Sequence, residues 1–470
     1  AFLGVFAGVY VAVDEVIALR VGTQRSREWR AAVAGAIAAP ALLLADPKPA
    51  SRSRLGRDAR SSVGVLNKNA PLAPQRHNGL ATYLALRACV LLTRSALKRR
   101  DKRELTPVTH ALLAPFADKN ADVGLMCVSA TVILSCFILR RDAVVGPYAK
   151  FLDRHGGKTV AHYVFAGALA KATTALETRT VVKNAAAALY GHPGASLRDK
   201  KHEASLLAAL DVSDASLMRR RPKLWRLLVH PETLNGGAHF VAFFTRSLLR
   251  SFGVNAPLYL VSTLLVHRHA VVDKKRGPAI LKRSVVGVAR SSAFLSAYCA
   301  LAWAGPDIVA TLLGDVRWWT IVCGVPLAGL ATFLEKPSRR QELGVYCASR
   351  ALEAVAVLVA GANARRIASD ESRKNKNADA FASFFLVKRL ARFDVATFAL
   401  ASAAVMRCYA NERDVFRSKY LNVLDYVFGN QGHGRQRVRH VGSAYQLMTE
   451  PPEMPASPKK KKGDGEKKER

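Results

Sequence analysis

Residues 141–153 read RDAVVGPYAKFLD and residues 413–425 read RDVFRSKYLNVLD. Arg141-Asp142, Tyr148 and Leu152-Asp153 fall against Arg413-Asp414, Tyr420 and Leu424-Asp425, and Asp122 falls against Asp394 at the same offset. Outward from this block the matches continue in one order. Leu80, Tyr83, Ala85, Arg87 and Ala88 line up with Leu343, Tyr346, Ala348, Arg350 and Ala351. Trp29, Gly35 and Ala39 line up with Trp318, Gly324 and Ala328, and Ala1-Phe2-Leu3 with Ala293-Phe294-Leu295. Both copies then leave the helix through an acid, a proline and basic residues: Asp46, Pro47 and Lys48, and Glu335, Pro337 and Arg339. One block arises by chance; several in register read as a duplication, and an internal repeat governs the architecture.

The repeated unit reads as all-α. Half of the residues are hydrophobic but only 8% are aromatic, and Ala and Leu favour helix. Apolar runs fall at about 2–20, 31–45, 79–95 and 123–139, then 237–250, 252–267, 284–304, 318–335, 343–362 and 394–410. A bilayer core takes about 20 helical residues, with a range of roughly 17–25. These runs sit at its lower edge, and 31–45 is short unless Trp29 and Arg30 snorkel. The fold expected is a polytopic membrane bundle of two repeats with about four helices each. Two spans between the repeats, 237–250 and 252–267, would set them parallel; a weak third at 159–175 would invert them.

The chain divides into a first repeat (1–158), a basic linker with short helices (159–229), a second repeat with a preceding helix pair (230–430) and a basic tail (431–470) whose composition is that of disorder. It opens on Ala1 within an apolar run, so the first repeat reads as truncated at its N-terminus.

The net charge of +36 admits nucleic acid or an anionic membrane as partner, or simply solvated loops. Its distribution favours the membrane, because Arg20–Arg30, Lys48–Arg60, Arg94–Arg103, Arg219–Arg226, Lys274–Arg276 and Lys459–Lys462 lie between apolar segments. No helix interleaves a basic face with aromatics, which argues against nucleic acid. The seven cysteines lie singly in apolar segments and read as small buried hydrophobes, without a disulfide framework or zinc spacing.

Small residues at every fourth position (Gly4 and Gly8; Ala31, Gly35 and Ala39; Gly324, Ala328 and Thr332) suit close helix packing in lipid, although an Ala-rich chain produces such spacing by chance. Arg87 and Arg350 sit one turn after Tyr83 and Tyr346 in matched apolar helices. A charge there costs about 2.5–3.5 kcal/mol at mid-membrane, so both face the bundle interior or a watery cavity, or else snorkel from a helix end. Glu353 is placed to pair with Arg350, whereas the first copy has Val90. Asp14 and Glu15 interrupt the first run, which reads either as a span or as a helix ending at the interface, and Asn255 to Tyr259, with Pro257, would kink or break the helix they lie in. The RD-x5-Y-x3-LD block reads either as a helix lying on the membrane with Tyr148 and Tyr420 at headgroup level, or as a helix packed on its own bundle. Nucleophile-elbow, zincin, phosphate-loop and paired-carboxylate patterns are missing from the sequence, and His155-Gly156-Gly157-Lys158 follows no strand. No enzyme activity and no cofactor are therefore expected.

Taken together, His230-Pro231, Phe240-Val241, Pro257-Leu258-Tyr259-Leu260, Ser292-Ala293-Phe294-Leu295, the Gly324–Gly329 helix with Glu335-Lys336 and Arg339-Arg340, and Leu343 to Glu353 resemble the transmembrane protein 135 family. The likeness covers most of 1–155 and 230–430, and is distantly reminiscent of Tim-type import translocases. The family's cysteine after His-Pro is missing from Glu232–Gly237, and the first copy has no counterpart of 230–290. The resemblance implies a non-enzymatic multi-pass protein of peroxisomes and mitochondria that acts in organelle organisation or lipid handling. Its partners would be anionic lipid headgroups, a second copy or other organelle membrane proteins. A transporter or translocation channel, with a cavity between the repeats lined by Arg87 and Arg350, is the alternative; a soluble basic helical nucleic-acid binder is the third reading.

Overall fold

The computed structural model describes residues 1–45, 78–101, 106–144, 146–191, 196–230, 235–272, 277–371 and 393–428. The exit at Asp46-Pro47-Lys48, Pro231 and the tail from 431 lie outside the described residues. All regular elements among the described residues are helical. The first half holds α1 (Phe2–Val21), α2 (Arg30–Ala38) running into a 3-10 segment (Ala39–Leu44), α3 (Asn78–Asp101), α4 (Pro107–Ala117) and α5 (Ala121–Leu139), then a 3-10 turn (Arg141–Ala143) and α6 (Gly146–Gly156). Next come α7 (Val160–Lys171), α8 (Ala175–Tyr190), α9 (Leu197–Ala208), α10 (Asp214–Arg219) and α11 (Arg221–Val229). The second half holds α12 (Gly236–Val272), α13 (Gly277–Leu313), α14 (Trp318–Gly324) and α15 (Pro326–Leu330) with a 3-10 segment (Ala331–Leu334). It ends with α16 (Pro337–Glu371), α17 (Phe393–Asn411), a 3-10 turn (Arg413–Val415) and α18 (Ser418–Phe428).

Four described helices are long and apolar enough to cross a membrane: Phe2–Val21, Gly79–Asp101, Ala121–Leu139 and Gly277–Leu313. The sequence had offered ten candidates. Arg30–Leu44 and Trp318–Leu334 are apolar but short, and Pro40 and Pro326 fall where each run tightens or restarts, because proline has no N–H to donate. The runs at 237–250 and 252–267 are not two spans. They form the single helix α12, which carries Pro257 inside it. With one helix in place of two, the count that would have set the halves parallel no longer applies. The 343–362 and 394–410 runs are helical, with Arg350 and Glu353, and Asp394 and Arg407, diluting their apolar character.

The long helices pair across the two halves of the chain. α5 lies along α16, and α17 lies along α3. Asp122 and Leu125 approach Gly344, and Cys136 packs with Ala354 and Leu358, so α5 and α16 run parallel. Ala81 meets Phe398, and Leu91 joins Val405 and Cys408, so α3 and α17 also run parallel. α17 further packs on α2, as α5 packs on α15. Between the pairs, α3 and α16 cross antiparallel, with Arg87 against Glu342 and Gly79 against Arg350 and Glu353.

The stretch read as a linker is folded. Val182, Ala185, Leu206, Leu217, Leu224, Trp225 and Leu228 are fully buried in the largest core cluster, beside Ile133, Phe137 and Trp303. Capping boxes start two of its helices, Thr174 with Glu177 and Ser196 with Asp199. Arg221, wholly buried, donates to the carbonyls of Leu169 and Ala172 at the C-terminal end of α7 (2.6 and 2.9 Å) and pairs with Asp315. It thereby satisfies carbonyls that a helix end leaves open.

Candidate functional site

Arg87 leaves the middle of α3 toward the start of α16 and the N-terminal turn of α18. Its guanidinium donates to Glu342, to Tyr83 and to the Tyr420 hydroxyl (2.8 Å), and lies over both tyrosine rings at 5.0 and 4.7 Å. Glu342 also accepts from Tyr420 and from Arg417. Burial alone would raise the Glu342 carboxyl, but the hydrogen bonds from Arg87 and Tyr420 and the charges of Arg87 and Arg417 outweigh it, so the group is held below its usual value and ionised. Arg94 donates to the Val415 carbonyl (2.9 Å) and to Gln341. These residues, with Val90, Leu91, Phe416, Val423 and Leu424, line a cleft of about 140 Å³.

Arg350 occupies the matched position on α16, and its surroundings are the matched ones. It sits with Tyr148, Val144, Ala354 and Ile133, where Arg87 has Tyr420, Phe416, Leu91 and, behind them, Val405. It lies over the Tyr346 ring at 5.5 Å, as Arg87 lies over Tyr83. Its anion differs. Gly79 stands on α3 where α16 has Glu342, so Arg350 pairs along its own helix with Glu353 at 2.7 Å. That space is filled: a Cβ on Gly79 would come 2.7 Å from Glu353 Oε1. Tyr148 is 8% exposed and packs on Tyr346, whereas Tyr420 is 39% exposed.

The block that opened the sequence reading builds the same object twice. Arg141 pairs with Asp153 and lies 4.4 Å from the Phe137 ring centroid. Arg413 pairs with Asp425 and lies 4.9 Å from the Tyr409 centroid. The ion pair ties the short helix (α6 or α18) to the end of the fourth helix, and so sets the two tyrosines beside the two arginines. α6 is covered by α12 and α13. α18 buries Phe428 and packs Leu421 and Leu424 inward, leaving Val423, Tyr426 and Val427 outward.

The small-residue positions divide. A Cβ on Gly35 would stand 2.9 Å from the Ser402 carbonyl oxygen, and one on Gly324 would meet the backbone of Gly305 and Pro306, at 2.5 Å for the Gly305 carbonyl carbon. Both are close helix approaches. Gly4 and Gly8 have nothing within 4 Å, so their face of α1 makes no packing contact among the described residues. The cysteines also divide: Cys136, Cys299, Cys347 and Cys408 are buried, Cys127 is half-buried against Gly329, and Cys89 and Cys323 are exposed. Asp14 does not end the first helix. α1 runs on to Val21, and Asp14 takes a hydrogen bond from Arg30 of α2 at 2.9 Å.

Other residues meet that the sequence reading had kept apart. Tyr259 of α12, Ser291 of α13, Glu335 and Arg339 form one cluster: Ser291 donates to the buried Glu335 (2.7 Å), and Arg339 donates to Ser291 (2.8 Å) and to Tyr259. Along the same seam Asn255 approaches Ser292, Ser296 approaches Ser251, and Thr263 pairs with Ser284 at 2.7 Å. Hydroxyls a few positions apart on two long apolar helices are the available signal for such a seam. His230 stacks on His239 at 3.7 Å beside Trp303, and burial, foremost, with the charge of His239 pushes the His230 imidazole down to about 2.

Residues 237–359, which hold this seam, the Glu335 cluster and Arg350, match the family model of the N-terminal cysteine-rich region of Transmembrane protein 135. Neither the curated proteins nor the solved structures yield a match to the chain. The matched residues include most of those on which the resemblance was drawn. Through this region the chain is similar to the transmembrane protein 135 family, which supports its membership there.

Proposed function

We propose that this chain is a non-enzymatic, multi-pass protein of peroxisomal or mitochondrial membranes that acts in lipid handling or membrane organisation. The observation that carries the membrane reading is α1, a 20-residue apolar helix in which only Tyr10 and Asp14 are buried. Its remaining apolar face needs a non-aqueous surround, since an exposed apolar surface of this extent marks a lipid or protein partner. The body of the protein is two copies of one four-helix unit with exchanged fourth helices. The reciprocal Arg87–Glu342 and Gly79–Arg350 contacts support this, because residues matched across a two-fold relation meet twice. Anionic headgroups suit the basic connections, and the organelle rests on the family. Alkaline carbonate extraction with microscopy of the tagged full-length protein tests this reading; release into the soluble fraction, or a location away from both organelles, ends it.

A second reading, a transporter working between the copies, is favoured by one observation. The matched helices α3 and α16 run antiparallel, as in inverted-repeat carriers, and one of the two matched sites is open while the other is filled. Flux into vesicles holding the reconstituted protein, compared with Arg87→Gln, tests it; flux unaffected by the substitution removes the Arg87 cleft from any pathway.

A further inference from the structure

The geometry points to the Arg87 cleft as a binding site for the phosphate headgroup of an anionic phospholipid, an assignment that rests on the reading of the chain as a membrane protein. Three guanidinium groups, Arg87, Arg94 and Arg417, line the cleft against one carboxylate, Glu342. Among the described residues, hydrogen bonds engage Arg94 through Nη1 and Nη2 and Arg417 through Nη1 only. Each guanidinium carries five donors, so donors remain for an anion. A guanidinium fork fits phosphate oxygens two at a time.

The other walls are apolar: Val90, Leu91, Phe416, Val423 and Leu424. About 140 Å³ holds a headgroup but not an acyl chain. The chains would have to lie outside, and α18 offers them a face, since Val423, Tyr426 and Val427 are exposed beside the cleft. An amphipathic helix with outward tyrosines lies at the level of headgroups. The site is thus cationic within and apolar at its rim, which suits an anionic amphiphile and which a free phosphate does not need.

The matched site is an internal control. Where the open cleft has Arg94, the other copy has Val357; where it has Glu342, the other has Gly79. There one arginine and one glutamate neutralise each other and the space is closed. At the matched end of the same α3–α16 crossing the two helices pack closely with one arginine and its own glutamate. The additional cations and the open volume occur together, at one site only.

The test uses the full chain purified in a mild non-ionic detergent. Dihexanoyl phosphatidic acid, dihexanoyl phosphatidylcholine and inorganic phosphate are each titrated while the melting temperature is followed. Phosphatidic acid raises the melting temperature saturably, and phosphatidylcholine does not. Arg417→Gln, at a half-exposed position, and Arg94→Gln each weaken the phosphatidic acid response about tenfold, and the double variant Arg350→Gln with Glu353→Gln, which leaves no buried charge unpaired, leaves it unchanged. Equal responses to both lipids, an Arg94 and Arg417 pair of variants that bind like the parent, or an equal loss in the Arg350 and Glu353 double variant would overturn the assignment. A response to inorganic phosphate as large as that to phosphatidic acid would overturn the lipid as its source. Because short-chain lipids are presented in detergent, this outcome is independent of carbonate extraction, which tests the membrane reading alone.

Discussion

Arg87 and Arg350 start from matched helices, matched tyrosines and matched ion-pair modules, and arrive at different sites. At Arg350 the counter-ion is on its own helix, one turn away, and the neighbouring helix contributes a glycine. The charge is neutralised locally and the space is filled. At Arg87 the counter-ion comes from the other half, and it is shared with Arg417 and Tyr420. The shared carboxylate ties the start of α18 to α16, and a cleft stays open beside it. The difference comes from two exchanges, Glu342 against Gly79 and Val90 against Glu353. Where a buried charge finds its partner thus separates the filled end of the α3–α16 crossing from the open one.

The largest effect is expected where the pair is most enclosed. Arg350→Met leaves Glu353, 5% exposed, without its cation, and such a buried unpaired charge costs about 3–5 kcal/mol. Arg87→Met leaves Glu342 with Arg417 and Tyr420, and destabilises less than half as much. Thermal or denaturant melts of the purified protein decide it; an Arg87 variant less stable than the Arg350 variant would reverse the comparison. Adding Glu353→Gln to Arg350→Met should recover most of the loss.

The modules flanking the two sites should, in contrast, behave alike. Asp153→Asn and Asp425→Asn each weaken a charge-assisted hydrogen bond, for roughly 1.5–3 kcal/mol. Melts that differ widely between the two would mean that α6 and α18 are anchored by different forces. The matched glycines come next. Gly324→Ala drives a methyl into the backbone of Gly305 and Pro306, and overpacking of this kind costs about 1–3 kcal/mol. Gly35→Ala meets Ser402 and the flexible Met406 side chain and falls at the low end of that range, and Gly8→Ala is neutral. A Gly8 variant as damaging as Gly324→Ala would place an unseen partner on α1. The smallest effect is at the rim, where Lys98 pairs with Asp414 and both side chains are about half exposed. Lys98→Ala should cost under about 1 kcal/mol and respond to salt.

Much of this was legible beforehand because matched residues keep matched jobs. The offset that pairs Arg141 with Arg413 also pairs their aspartates and the aromatic rings beneath them. Arg350–Glu353 was legible as a one-turn pair. The Arg87 site was not, since Glu342, Arg417 and Tyr420 come from two other helices. Nor was α12 legible as one helix: the chain around Pro257 carries a break signal, and packing against the long α13 keeps the helix continuous. The residues at 159–229 read as a linker because their apolar positions are spread among arginines and lysines, and only docking on α5 and α13 buries Trp225 and Leu228.

By itself, then, the sequence determined the helical class, the matched blocks and the local pairs, for all of these depend on spacing along one chain, where helical periodicity brings fixed neighbours together. The tertiary structure decided that α5 packs along α16 and α17 along α3, that α3 and α16 run antiparallel, and that only one of two matched arginines borders open space. Those outcomes turn on which distant side chain reaches a buried charge first, and no spacing along the chain records that.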